Sequence, residues 1–140
     1  MNWLRDFVKP KIKNNETKIF GIMLIISLCD TILACVIEIL SYKYSVINPV
    51  VFDIVLEILN KLDFLLLLHW MMLLFLYITS VNFTEKVFYS VLKITLLINS
   101  IVSLFILLLN LNIIITDKIM DVDGLSVYVL YSSIIIYILI

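Results

Sequence analysis

The sequence predicts an all-α fold: a polytopic transmembrane helical bundle of four segments, preceded by a short interfacial amphipathic helix. Three observations predict it. Of the 140 residues, 64% are hydrophobic and only 15% charged, whereas a soluble domain is about half apolar and a quarter charged. The apolar residues collect into four runs, at about 19–40, 62–80, 94–116 and 125–140. Each comes near the roughly 20 residues that cross a hydrocarbon layer at about 1.5 Å per residue. None of the runs alternates polar and apolar positions with period two, so a transmembrane barrel is not expected. Two glycines, two prolines and two cysteines are also too few for a collagen-like chain or a disulfide scaffold.

The chain divides into residues 1–18, a cytoplasmic interfacial helix with a basic lead, and residues 19–140, a four-helix membrane domain. In the first ten residues Trp3, Leu4, Phe7 and Val8 share one helical face, with Asn2, Arg5, Asp6 and Lys9 on the other. Pro10 ends that helix, which is expected to lie on the inner leaflet. Arg5, Lys9, Lys11, Lys13, Lys18, Lys86 and Lys93 fall on one side of the four-span scheme, against Lys43, Lys61 and Lys118 on the other. The positive-inside rule then puts the N-terminus in the cytoplasm of a multi-pass cell-membrane protein. The acidic loop at residues 117–123 falls outside.

The first run is interrupted by Asp30 and, near its end, Glu38. Within it, Ile32-Leu33-Ala34-Cys35 loosely resembles a lipoprotein cleavage site, but the long polar lead and the internal Asp30 argue against processing. Cys29 and Cys35 lie on different helix faces and are expected to be buried as small apolar residues, unable to bridge. Before the second run, Asn48-Pro49 reads as an N-cap followed by proline at the first helical position. Asp53, Glu57 and Lys61 then recur every four residues along one stripe, so this helix is expected to start well outside the bilayer and continue inward. The third run carries the uncharged Asn99, Asn110 and Asn112. The fourth stops at Ile138-Leu139-Ile140 without an interfacial anchor, and is expected to be the front of something longer. Tyr42, Tyr44, Phe83, Tyr89 and Tyr128 sit where an aromatic belt would.

Enzyme signatures are missing from the sequence. It has one histidine, no HExxH, no glycine-rich phosphate loop and no Cys/His metal spacing, so no catalytic residue, metal or cofactor is expected. A net charge of −1 and the lack of a large basic patch speak against a nucleic-acid partner. The chemistry that remains lies in polar residues within the spans. Ser27, Thr31, Asn99, Ser103 and Asn110 recur at helical spacings and are expected to hydrogen-bond between helices inside the bundle. Asp30 is the sharpest position, because an ionised aspartate at mid-span costs about 2.5–3.5 kcal/mol on insertion scales. By helix rise His69 lies at a comparable depth, so Asp30 and His69 are read as a ligand or proton-coupling pair, weighed against a purely structural hydrogen-bonded pair. Glu38 and Asp63, with Lys61, form an outer rim that is either a solvated edge or part of such a site.

Three segments carry a family resemblance: Leu28-Cys29-Asp30; the run Leu59-Asn60-Lys61-Leu62-Asp63-Phe64 leading to Phe75-Leu76-Tyr77; and residues 121–131 (DVDGLSVYVLY). Together they resemble the N-terminal membrane region of clostridial-type signalling proteins that continue into a GGDEF cyclase or a histidine-kinase catalytic part. The resemblance implies a sensory or membrane-anchoring input module; the chain lacks the later helices and the catalytic domain of that pattern, so no output activity carries over. The partners implied are the lipid bilayer, a second copy of the chain or a downstream signalling domain. Two alternatives stand beside it: a small ion-coupled transporter using Asp30, and an accessory or immunity-type membrane subunit. Against transport, helices that slide past one another typically do so on Gly and Ala faces, and the glycines and alanines of this chain are only Gly21, Ala34 and Gly124.

Overall fold

The structure, a computed structural model, describes residues 14–43, 49–116 and 119–139. The expected inner-leaflet helix at residues 1–10 and the Asn48 cap lie outside the described residues. In chain order the elements are helix α1 (Asn14–Tyr42), helix α2 (Pro49–Asn82), helix α3 (Glu85–Leu108), strand β1 (Asn112–Thr116), strand β2 (Ile119–Asp123) and helix α4 (Leu125–Leu139). Three helices are long and apolar enough to cross a membrane, over Glu16–Tyr42, Val50–Asn82 and Glu85–Leu108. The fourth apolar run forms a helix of 15 residues, roughly 22 Å long, shorter than a hydrocarbon core of about 30 Å. A helical bundle of membrane character is therefore present, with three helices of spanning length and one short one.

Isoleucine and valine are abundant in these helices despite their modest helix propensity. In hydrocarbon every backbone N–H and C=O must be satisfied within the segment, and that requirement outweighs the propensity difference. Glu16 and Glu85 occupy the first turns of α1 and α3, where a carboxylate complements the positive end of the helix dipole. Helix α2 runs unbroken for 34 residues from Pro49, roughly 51 Å. The second apolar run is thus the inner part of a helix that starts at the charged stripe.

Helix α2 is the axis of the molecule. Helices α1, α3 and α4 all pack on it, while α1 rests almost entirely on α2. Three apolar clusters hold the assembly. At one end Ile19 and Met23 meet Met72, Leu73, Leu76 and Phe88. In the middle Leu68, Ile106 and Leu130 join α2, α3 and α4. At the other end Ile37, Phe52 and Leu56 pack together, with Ile113 of β1 laid against them. Leu24, Ile25, Leu28, Ile94, Leu97 and Ile136 point outward, as large aliphatics can in contact with lipid.

The third run departs from expectation at both ends. Helix α3 starts at Glu85, behind Thr84, and ends at Leu108, where Leu109 turns extended with φ −77° and ψ 151°. Residues 112–123 form an antiparallel hairpin, with Asn112 opposite Asp123 and Thr116 opposite Ile119. Two features override the apolar count. Asn110 and Asn112 favour leaving a helix, and Ile113, Ile114 and Ile115 are β-branched residues that suit a paired strand.

Gly124 returns the hairpin to α4. Its φ of +135° is one that side-chain-bearing residues rarely adopt, and a Cβ there would stand 2.6 Å from the backbone oxygen of Asn110. Its N–H donates to Asp123 Oδ1 at 2.7 Å. Two residues on, the fully buried Ser126 places its hydroxyl 2.9 Å from the Leu109 carbonyl and 3.2 Å from that of Ile106. It therefore supplies a donor to the carbonyls left open where α3 ends.

Candidate functional site

The two end clusters fix the antiparallel register of α1 on α2. Ile37 lies level with Phe52 and Leu56, and Ile19 and Met23 lie level with Met72, Leu73 and Leu76. Between them Asp30 of α1 comes opposite Asp63 of α2, close enough for the two carboxyl groups to interact. The Oδ1 atom of each is buried, with no hydrogen-bond partner among the described residues. Two carboxylates in one site repel each other, so the pair is a place where a proton or a cation between them would strengthen the seam.

His69 is not the partner of Asp30. It lies six residues beyond Asp63, roughly 9 Å along the helix, and its Nδ1 is 2.6 Å from the Leu65 carbonyl one turn back on α2. Its ring also lines a broad apolar groove between α1 and α2, together with Cys29, Leu33 and Leu65. Equal depth assumed that both helices sit symmetrically in the bilayer. The packing instead staggers them, setting the middle of the α1 run against the start of the α2 run.

The other sequence-derived positions separate into distinct environments. Glu38 is exposed on α1, and its carbonyl accepts from the Ser41 hydroxyl at 2.8 Å. Lys61 pairs with Glu57 one turn earlier at 2.7 Å and also donates to the Leu107 carbonyl at the end of α3, at 3.2 Å. Lys61 is thereby committed away from Asp63. Ser27 and Thr31 are exposed, and Thr31 is satisfied within α1, its hydroxyl donating to the Ser27 carbonyl at 2.9 Å. Such back-bonding removes the need for an interhelical partner, and it recurs at Thr79, Ser100 and Ser133. Asn99 does join two helices: it is 3% exposed and accepts a hydrogen bond from the Tyr137 hydroxyl of α4 at 3.3 Å. The Ser103 hydroxyl is buried without a partner among the described residues. Asn110 has left the bundle and is exposed at the entry to the hairpin.

Cys29 and Cys35 are free and exposed, contrary to the expectation of burial; at the apolar periphery a thiol, like an aliphatic group, faces lipid at little cost. Sequence reasoning passed over Asn60, which is 4% exposed and donates to the Leu56 carbonyl at 2.8 Å, one turn before the carboxyl pair. No group of three or more metal-ligating side chains is found among the described residues. No protein-family model, curated protein or solved structure matches the chain.

Proposed function

We propose that this chain is a membrane-embedded input module of a bacterial signalling protein, sensory or anchoring in role and non-catalytic, in which the Asp30–Asp63 contact is the switchable joint. The observation that carries the reading is that contact itself, set in a seam between α1 and α2 while α1 has little other support. A proton bridging two helices makes their packing depend on proton or cation occupancy, which is the kind of differential interaction a two-state element requires. The neighbouring charges do not neutralise the pair, since Lys61 is held by Glu57 and Leu107 and His69 by Leu65. The resemblance of residues 121–131 to the acidic outer loop of clostridial-type input regions points the same way. The N-terminus is cytoplasmic on this reading, and the shift of α1 is what a downstream domain or a second copy would receive.

The test is the α1–α2 distance, measured by electron spin resonance between labels at Ile39→Cys and Val51→Cys, with Cys29 and Cys35 changed to serine, in lipid nanodiscs. The distance is expected to increase as the pH is raised, and the change to vanish in Asp30→Asn/Asp63→Asn, which keeps a neutral hydrogen-bonded pair. A distance that ignores pH in the parent overturns the reading. The carboxyl pair also favours the ion-coupled carrier using Asp30. Proton-driven uptake into reconstituted vesicles, lost in Asp30→Asn, would select that alternative.

A further inference from the structure

Helix α2 has 34 residues, roughly 51 Å of helix where a hydrocarbon core takes about 30 Å. Its charged residues, Asp53, Glu57, Lys61 and Asp63, all fall before Phe64, so the surplus length lies at the N-terminal end. One side of that end is covered, since Phe52 and Leu56 are buried against Ile37 of α1. Another side carries Val51, Val55, Ile58 and Leu62, which are 39–57% exposed. Exposed aliphatics elsewhere on the bundle face lipid, but lipid does not reach the part of this row that stands clear of the hydrocarbon. Val50 and Ile54 flank the row and are exposed as well. Two such surfaces brought together offer on the order of 1,000 Å² of apolar area, the size at which a specific interface becomes possible.

We infer that this row is the seam along which α2 packs, parallel and side by side, on α2 of a second copy of the chain. Spacing selects a helix as the occupant. Positions 51, 55, 58 and 62 step by four, three and four residues, the repeat that keeps one edge of a helix against a helical neighbour. The bilayer selects a second copy. Two copies inserted the same way hold their α2 helices parallel and at one height, so a two-fold axis along the membrane normal sets each residue of the row against its own counterpart. Such a seam requires a row that tolerates meeting itself. This one does: it is uncharged from Val51 to Leu62, so no like charges face each other. The nearest cation, Lys61, is held by Glu57 of its own helix and by the Leu107 carbonyl. Insertion in a common orientation also removes part of the rotational freedom that association otherwise costs. The row shares no residue with the Asp30–Asp63 joint, and the joint's response is read in nanodiscs that hold a single copy, so either idea can fail while the other stands.

The experiment is oxidative cross-linking of single-cysteine variants in lipid vesicles, with Cys29 and Cys35 changed to serine. Val51→Cys, Val55→Cys and Ile58→Cys are expected to yield disulfide-linked dimers, because counterpart positions of a parallel seam come within bridging distance. Asp53→Cys, exposed on the opposite side of α2, is expected to give only the low yield of chance collision. A second measurement is energy transfer between donor-labelled and acceptor-labelled copies at high lipid dilution. Transfer is expected for the parent chain and lost in Val55→Lys/Ile58→Lys. Equal cross-linking at all of these positions overturns the seam, and so does transfer that survives the two lysines, since the copies then meet elsewhere. Absence of transfer between parent copies overturns the second copy as occupant and leaves the row to a different chain. Should Val55→Lys/Ile58→Lys fail to fold, the cross-linking pattern decides.

Discussion

Two regions of this molecule join helices in opposite ways. The α3–hairpin–α4 unit is closed by groups with a single workable arrangement: Gly124 pressed against the Asn110 backbone, and the buried Ser126 hydroxyl set among the carbonyls that end α3. The α1–α2 seam is closed by apolar clusters at its two ends and a carboxyl pair between them. The first arrangement has no neighbouring alternative, because moving it by an ångström produces a clash or an unsatisfied group. The second has no such closure between its two ends, and on the proposed reading it has an alternative. Rigidity in the α3–hairpin–α4 unit thus comes from steric and hydrogen-bond closure, and the proposed capacity to switch would come from the carboxyl contact.

Substitutions break that contrast to different degrees. The largest effect is expected from Gly124→Ala, since the backbone conformation alone costs roughly 1–3 kcal/mol for a side-chain-bearing residue and the new Cβ meets a backbone oxygen. Thermal unfolding in detergent micelles should show this loss, with the pH response of the α1–α2 distance preserved. A stability equal to that of the parent would mean the hairpin return is not fixed as described. Ser126→Ala follows, with about 1–2 kcal/mol lost from one buried hydrogen bond, read from the same unfolding curves. Hydrogen exchange should then rise at the start of α4 and not in α1.

Lys61→Met sharpens the comparison from the other side, because Lys61 is the polar tie between the end of α3 and the level of the carboxyl pair. Its ion pair with Glu57 is partly solvated, so about 0.5 kcal/mol is expected. The more telling readout is the α1–α2 distance. It should keep its pH dependence if Lys61 serves α3 alone, and an abolished response would place Lys61 inside the switch.

Much of the architecture was legible in one dimension. The helical bundle follows from the length and composition of the apolar runs, and the long α2 from Pro49 and the Asp53, Glu57 and Lys61 stripe. The hairpin was not legible, because a window that counts hydropathy scores Ile113, Ile114 and Ile115 alike in a helix or a strand; only their β-branching and the flanking asparagines separate the two. Asp30 was singled out for its depth and Asp63 as part of an outer rim with Glu38 and Lys61, yet not as partners of each other. Pairing depends on the stagger of α1 against α2, and that stagger is set by Ile37 on Phe52 and Leu56 and by Met23 on Met72.

The sequence by itself determined the solvent this chain is built for, the helical answer to that solvent, and the short inventory of polar groups that any function must use. Only the tertiary structure decided which of those groups meet. A helix can satisfy a serine or threonine from its own backbone, so a polar stripe does not reveal whether it needs a neighbour: Thr31 does not, Asn99 has one in Tyr137, and the buried Ser103 hydroxyl has none among the described residues. Whether a polar group meets a neighbour depends on the rotation and sliding of whole helices, which are set by apolar side chains that look interchangeable along the chain but fit only one register in space.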